Sequence, residues 1–296
     1  MMALPQISDR LSPRQQAHWD WRAACNFIAG GTGGSLLLWA TLDLLHGGDA
    51  RPLIGAGLAL IAFGLGCVWL EIGRPWRALN TFRHFSSSWM TREASVAALL
   101  FVSGFLALWS GQNVLIGTTG LLGLAFLYAQ ARILAADKGI PAWRHPRCLQ
   151  LMVLTGLTEG LSLMVCAGWL YPQPLPADYL LALFAGLRLI AWRRYLSALV
   201  KDGAPAGSIK ALKKIDAEFF WVGSAIPAMF ALLAGMTGSL APAIVAGALA
   251  AVMGWRFKYT LICRAAYTQG FTLPKRPVRG RAIVPTRESG SRRPIG

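Results

Sequence analysis

Hydrophobic positions along the chain form long unbroken runs separated by short polar turns, with no strand-like alternation. A hydrocarbon core takes about 20 consecutive apolar residues of α-helix. Eight segments meet that length: 23–45, 52–71, 93–112, 114–136, 149–171, 178–199, 219–240 and 241–263. The last two are divided only around 238–242, so a tight turn is required there. Gly30, Gly31, Gly33, Gly34 and Pro227 fall inside these runs, which membrane helices tolerate. The pattern predicts an all-α integral membrane protein with eight transmembrane helices. It divides the chain into an N-terminal segment (1–22), a membrane domain (23–263) and a basic tail (264–296) expected to be disordered. The first 21 residues are polar and the first apolar run is full membrane length. That run is read as a permanent span, not a cleaved signal.

Composition agrees. Hydrophobic residues make up 55% and charged residues only 14% of the 296, against about 25% charged in soluble domains. A formal charge of +16 would suggest a nucleic-acid partner if it formed one soluble face. Here the basic residues sit between spans, so they read as topology signals, and no nucleic acid is expected. Arg10, Arg14 and Arg22 precede the first helix; Arg74, Arg77, Arg83 and Arg92 follow the second. Arg132, Lys138, Arg144 and Arg147 cluster after the fourth, and Arg193, Arg194, Lys201, Lys210, Lys213 and Lys214 after the sixth. The remainder begin at Arg256; Arg51 alone occupies an alternate loop, and Arg188 lies within a helix. The positive-inside rule then puts both termini in the cytoplasm of a bacterial inner membrane. The Arg-rich tail would lie against anionic lipid or a partner.

Charges inside a membrane are costly and call for an explanation. Glu159, near the middle of the fifth helix, and Arg188, near the middle of the sixth, fall at similar depth. They are expected to form an intramembrane ion pair or to line a proton path. Glu71 closes the second helix and Glu93 opens the third, both near the interface. Glu93 suits a helix start, whereas Glu71 has the wrong sign for a helix end. Asn26, one turn inside the first helix near His18 and Asp20, could line a headgroup pocket. The glycines 30–34 read mainly as close helix packing. His18, His46, His84 and His145 all fall at helix ends or in loops, which disfavours haem ligation. The five cysteines lie far apart in sequence, so neither a metal site nor an iron–sulfur cluster within the chain is expected.

One segment is more specific. Leu70-Glu-Ile-Gly-Arg-Pro-Trp-Arg-Ala-Leu-Asn80, followed by Ser87-Ser-Trp-Met-Thr-Arg-Glu93, resembles the membrane-anchor subunits of dimethyl sulfoxide reductase-type molybdoenzymes, within the broader NrfD and polysulfide reductase anchor group. The resemblance implies an eight-span anchor that binds ubiquinone or menaquinone. It also implies docking to an iron–sulfur subunit, itself bound to a molybdopterin catalytic subunit. Glu71 stands where that family has a His, and Glu93 matches its Glu opening the next helix. By this resemblance Glu71 and Glu93, with His18 and Asn26 nearby, are the quinone-binding and proton-exchanging candidates. Arg74, Arg77 and Arg83 are either topology charges or docking contacts. The chain would not catalyse alone; it would pass electrons between its partner and the quinone pool, as in anaerobic respiration. A phenylacetyl-CoA-type acyl-CoA oxidoreductase and a sulfoxide or sulfur-compound reductase are the complexes it allows. The competing readings are a secondary transporter with a midplane Glu159/Arg188 site, and a passive tether in which Glu71 and Glu93 are dispensable.

Overall fold

The structure is a computed structural model that describes residues 12–49, 51–70, 88–170, 173 and 175–270. Glu71, Arg74, Arg77 and Arg83 lie outside the described residues, as does the chain beyond residue 270.

Among the described residues the long helices are α1 (Trp21–Leu45), α2 (Arg51–Trp69), α3 (Trp89–Ser110), α4 (Asn113–Ala136), α5 (Pro146–Cys166), α6 (Ala177–Lys201), α7 (Ile226–Thr237) and α8 (Leu240–Tyr259). A five-residue helix, Asp216–Phe220, and a π-helical turn, Trp221–Ala225, lead directly into α7. A second π turn, Thr260–Arg264, extends α8. Seven of these helical runs are long and apolar enough to cross a membrane. The remaining one, α6, has 25 residues, about 37 Å of helix. Its composition is too charged to qualify, because it carries Asp178, Arg188, Arg193, Arg194 and Lys201. The chain is therefore a multi-pass membrane protein with seven unambiguous candidate spans.

The outer surface is apolar, as lipid requires. Phe63, Leu99, Phe105, Leu121, Leu183, Met229 and Met236 are all exposed along the spans. The interior instead buries polar and charged groups: Thr32, Ser35, Glu93, Gln130, Glu159, Arg188 and Lys258. Two four-helix units result. In the first, α1 packs on α2 and α4, and α3 on α4; in the second, α5 packs on α6 and α8, and α7 on both of those. The units meet through α1 against α5.

Small residues make these crossings close. A Cβ on Gly33 would come within 2.6 Å of the Gly57 carbonyl on α2, and one on Gly34 within 2.6 Å of the Gly123 carbonyl on α4. On the α5 side, Gly160 abuts Ser35 and Leu36. Gly33 and Gly34 on α1, with Gly160 on α5, thus let α1 touch three neighbours at backbone distance.

Helix ends follow local chemistry. Asp20 caps α1 by accepting from the Arg22 backbone N–H at 2.8 Å. Ser88 caps α3, so α3 begins at Trp89 rather than at residue 93, and Glu93 sits a full turn inside the helix. Trp89 lies under Arg92 and Arg132, at 4.4 and 4.6 Å from its ring, as an interfacial aromatic would. The start of the region expected as a loose tail is packed. Ala265 and Ala266 are buried, the Gln16 N–H donates to the Ala266 carbonyl at 2.8 Å, and Thr268 N–H donates to Arg14. The chain before α1 and the chain after α8 thus pair antiparallel at Gln15 and Tyr267.

Candidate functional site

Two groups of buried polar side chains lie within the first unit and at its junction with the second. The first lies one turn inside the Trp89 end. Glu93 on α3 is 7% exposed and Asn26 on α1 is 5% exposed. The side chains of Asn26 and of Gln130, on α4, both lie within hydrogen-bonding reach of the Glu93 carboxyl. Gln130 also donates to the Asn26 backbone carbonyl at 3.1 Å. Glycines make the room: a Cβ on Gly64 would press on Asn26, and one on Gly30 would collide with the Gln130 amide. Among the described residues, Glu93 Oε1, Asn26 Oδ1 and Gln130 Oε1 have no hydrogen-bond partner. Three unsatisfied acceptors at one buried spot are costly for a purely structural cluster.

The second group lies deeper. Glu159 and Lys258 are both fully buried, and Lys258 Nζ donates to Glu159 Oε2 at 2.5 Å. Thr32 Oγ1 donates to the same carboxylate oxygen at 2.8 Å, and the Trp255 indole N–H donates to Thr32 Oγ1 at 3.0 Å. Gly254, one helical turn before Lys258, leaves space for the carboxylate; a Cβ there would sit 2.6 Å from Glu159 Oε1.

These contacts correct the expected Glu159–Arg188 ion pair. The partner of Glu159 is Lys258, while Arg188 donates to the Ala250 carbonyl at 2.9 Å and to the Gly223 carbonyl. The guanidinium also lies 5.3 Å from the Phe219 ring. Proline explains the choice. Pro227 has no N–H to give the carbonyl four residues earlier, Gly223, and the π turn opens the backbone there. Arg188 satisfies that orphaned carbonyl. The charge pattern assigns the basic residues from Arg256 onward to the cytoplasmic side as topology signals, but the Lys258 side chain is fully buried among the helices. Sequence spacing carries the signal, since Lys258 falls within the last apolar run on the face of Gly254.

Of the sequence candidates, the fold brings Asn26 and Glu93 together and adds Gln130. A lone amide inside the fourth apolar run is the clue to that residue. His18 is exposed on the N-terminal segment, where its N–H donates to Gln16; no described contact joins it to Glu93. The Leu70 carbonyl, at the end of α2, accepts from Arg22 at 3.4 Å. Among the described residues no group of three or more His, Cys, Asp or Glu side chains is arranged to hold a metal ion.

No protein-family model matches the chain. It is 29% identical over 115 residues to the C subunit of the anaerobic dimethyl sulfoxide reductase of Haemophilus influenzae. The match covers 36% of this chain and 41% of that relative, so less than half of the relative's length is represented.

Proposed function

We propose that this chain is the membrane anchor and quinone-reactive subunit of a molybdopterin/iron–sulfur oxidoreductase, exchanging electrons between its iron–sulfur partner and the quinone pool. The observation that carries this is the buried Glu93–Asn26–Gln130 cluster beside the interfacial Trp89. The partial similarity to the C subunit of a dimethyl sulfoxide reductase supports it. In this reading α6 is the eighth span, both termini face the cytoplasm, and Arg74, Arg77 and Arg83 face the docked partner.

The residues present suit a quinone headgroup. A quinone supplies, when bound, a two-electron, two-proton couple. The Glu93 carboxylate accepts a hydrogen bond and a proton from a hydroxyl, and the amide N–H groups of Asn26 and Gln130 donate to a carbonyl oxygen. Helix packing around Gly30 and Gly64 fixes both amides, so they orient the headgroup without being reordered. Glu71 replaces the family's His and can exchange a proton, but it cannot donate a hydrogen bond while ionised. The division of labour therefore falls on Glu93 and the amides. The cytoplasmic side chosen for the partner calls for a cytosolic substrate; a phenylacetyl-CoA-type acyl-CoA, a sulfoxide and a sulfur oxyanion fit that requirement.

Glu93→Gln keeps the shape of the site and removes its proton carrier. The assembled complex should lose quinol-linked electron flow by at least about a hundredfold, measured with a soluble quinol analogue and an artificial acceptor. Unchanged flow would make the chain a passive tether. A midplane transporter is the second reading, favoured by the buried Lys258–Glu159 pair; solute uptake by the chain alone in liposomes would establish it instead.

A further inference from the structure

The two buried polar groups approach each other beside Gly31 and the Leu127 side chain. Lys258 Nζ lies 2.6 Å, and Gln130 Oε1 3.5 Å, from the point where a Cβ on Gly31 would stand. The two atoms are therefore at most about 6 Å apart, and one water with two hydrogen bonds of about 2.8 Å would link them at any separation up to about 5.6 Å. Both atoms are the right kind: an ammonium that donates and an amide oxygen with no protein partner. At the far ends stand two carboxyls, each with one unpartnered oxygen: Glu93 Oε1 and Glu159 Oε1.

We propose that Glu93 and the Lys258–Glu159 pair form one protonic unit, linked through Gln130 across Gly31, in which a proton released at Glu93 is taken up by the pair. In that transfer an O–H bond breaks at Glu93 and one forms at Glu159, and no electrons move. Glu93 becomes negative and the pair, formerly neutral, becomes positive through Lys258. The reverse transfer reloads Glu93.

The surroundings favour storage of that charge inside the bundle. Thr32 and Trp255 complete the hydrogen bonds around Glu159, and lipid-facing residues isolate the pair from water. Other ionisable groups on the packed helices are Arg188 on α6, whose field reaches Glu159, Arg22 and Asp43 at the two ends of α1, Tyr128 and Arg132 on α4, Arg92 on α3, and Arg256 and Tyr259 on α8. Cys25 on α1 and Cys67 on α2 have thiols within mutual hydrogen-bonding reach. Arg188 is held by the Ala250 and Gly223 carbonyls, so it acts on Glu159 only through space. Use of the unit to serve a quinol rests on the function proposed above; the link between the carboxyls does not.

The test is an infrared pH titration of the complex, purified with its native partners and without added quinol. Loss of a carboxyl band in Glu93→Gln assigns that residue's signal. The double variant Glu159→Gln/Lys258→Met, which removes the far end without leaving an unpaired charge and touches no partner of Glu93, should move the Glu93 midpoint by about half a pH unit or more. Gly31→Ala, whose methyl would press on Lys258 Nζ beside Gln130, should do the same. Ser103→Ala, buried elsewhere on α3, should not move it. A midpoint unchanged in every link variant overturns the proposal. If those midpoints hold still but Glu93→Gln abolishes quinol oxidation, the link falls and the quinone reading stands. If the midpoints move but quinol oxidation survives Glu93→Gln, the link stands and the quinone reading falls.

Discussion

Removing only one member of the Lys258–Glu159 pair should be far more damaging than removing both. The two side chains are fully buried and 2.5 Å apart, and apart from Lys258 the Thr32 hydroxyl is the one donor to that carboxylate among the described residues. In Lys258→Met a carboxylate is left inside the bundle with one hydroxyl donor. Breaking a buried pair in this way costs about 3–5 kcal/mol, and insertion scales give a similar figure of about 2.5–3.5 kcal/mol for a lone charge at the centre of a membrane helix. Neutralisation of the orphan by proton uptake caps the loss near the lower figure. For a chain of 296 residues that corresponds to a fall in Tm of about 5 °C. Glu159→Gln/Lys258→Met replaces the pair by two neutral side chains of similar volume and should recover most of the loss. The assay is thermal unfolding in mild detergent, followed by tryptophan fluorescence, across the wild type, both single variants and the double. Single variants as stable as the double would show that the pair does not exist in the folded protein and would refute the account of Glu159.

Gly34→Val should block assembly, because its Cβ would meet the Gly123 carbonyl at 2.6 Å, whereas Gly55→Ala, which faces open space, should leave yield unchanged in a size-exclusion assay of detergent extracts. At the interface, hydrogen bonds from Arg22 hold the Asp20 carboxyl below its ordinary value of 3.8. Because the folded value is the lower one, the charged cap's contribution is complete above pH 3.8 and is lost as pH falls through that depressed value. Asp20→Asn should therefore be less stable than the wild type at about pH 7 and converge with it in stronger acid, as read by circular dichroism during acid unfolding.

Much of this fold is legible in the sequence because lipid is a demanding solvent. The eight apolar runs correspond to helices in register with them, and the glycines 30–34 do pack α1 against its neighbours. Boundaries move where a cap outweighs hydropathy: Ser88 starts α3 at Trp89, ahead of the apolar run read from position 93. The sixth run is present as α6, yet Arg188, Arg193 and Arg194 make its composition ambiguous, and its packing on α5 and α7 shows its place. At the candidate site, Asn26 and Glu93 are readable as polar residues just inside helix ends. Gln130 and Lys258 leave only faint traces there, one amide in a long apolar run and one lysine on the face of Gly254, and each looks like a local exception. The pairing of Glu159 with Lys258 instead of Arg188 depends on Pro227 freeing a carbonyl on a different helix. Such a consequence appears only when α6, α7 and α8 are placed together.

The central claim is that this chain works only as part of a redox complex. It is tested most directly by tagging the chain in its own host, extracting it with a mild detergent and identifying what stays bound. The account predicts an iron–sulfur protein and a molybdopterin-containing protein in stoichiometric amounts, with quinol-reducible iron–sulfur signals. Recovery of the chain alone, active as a solute carrier in liposomes, would contradict it.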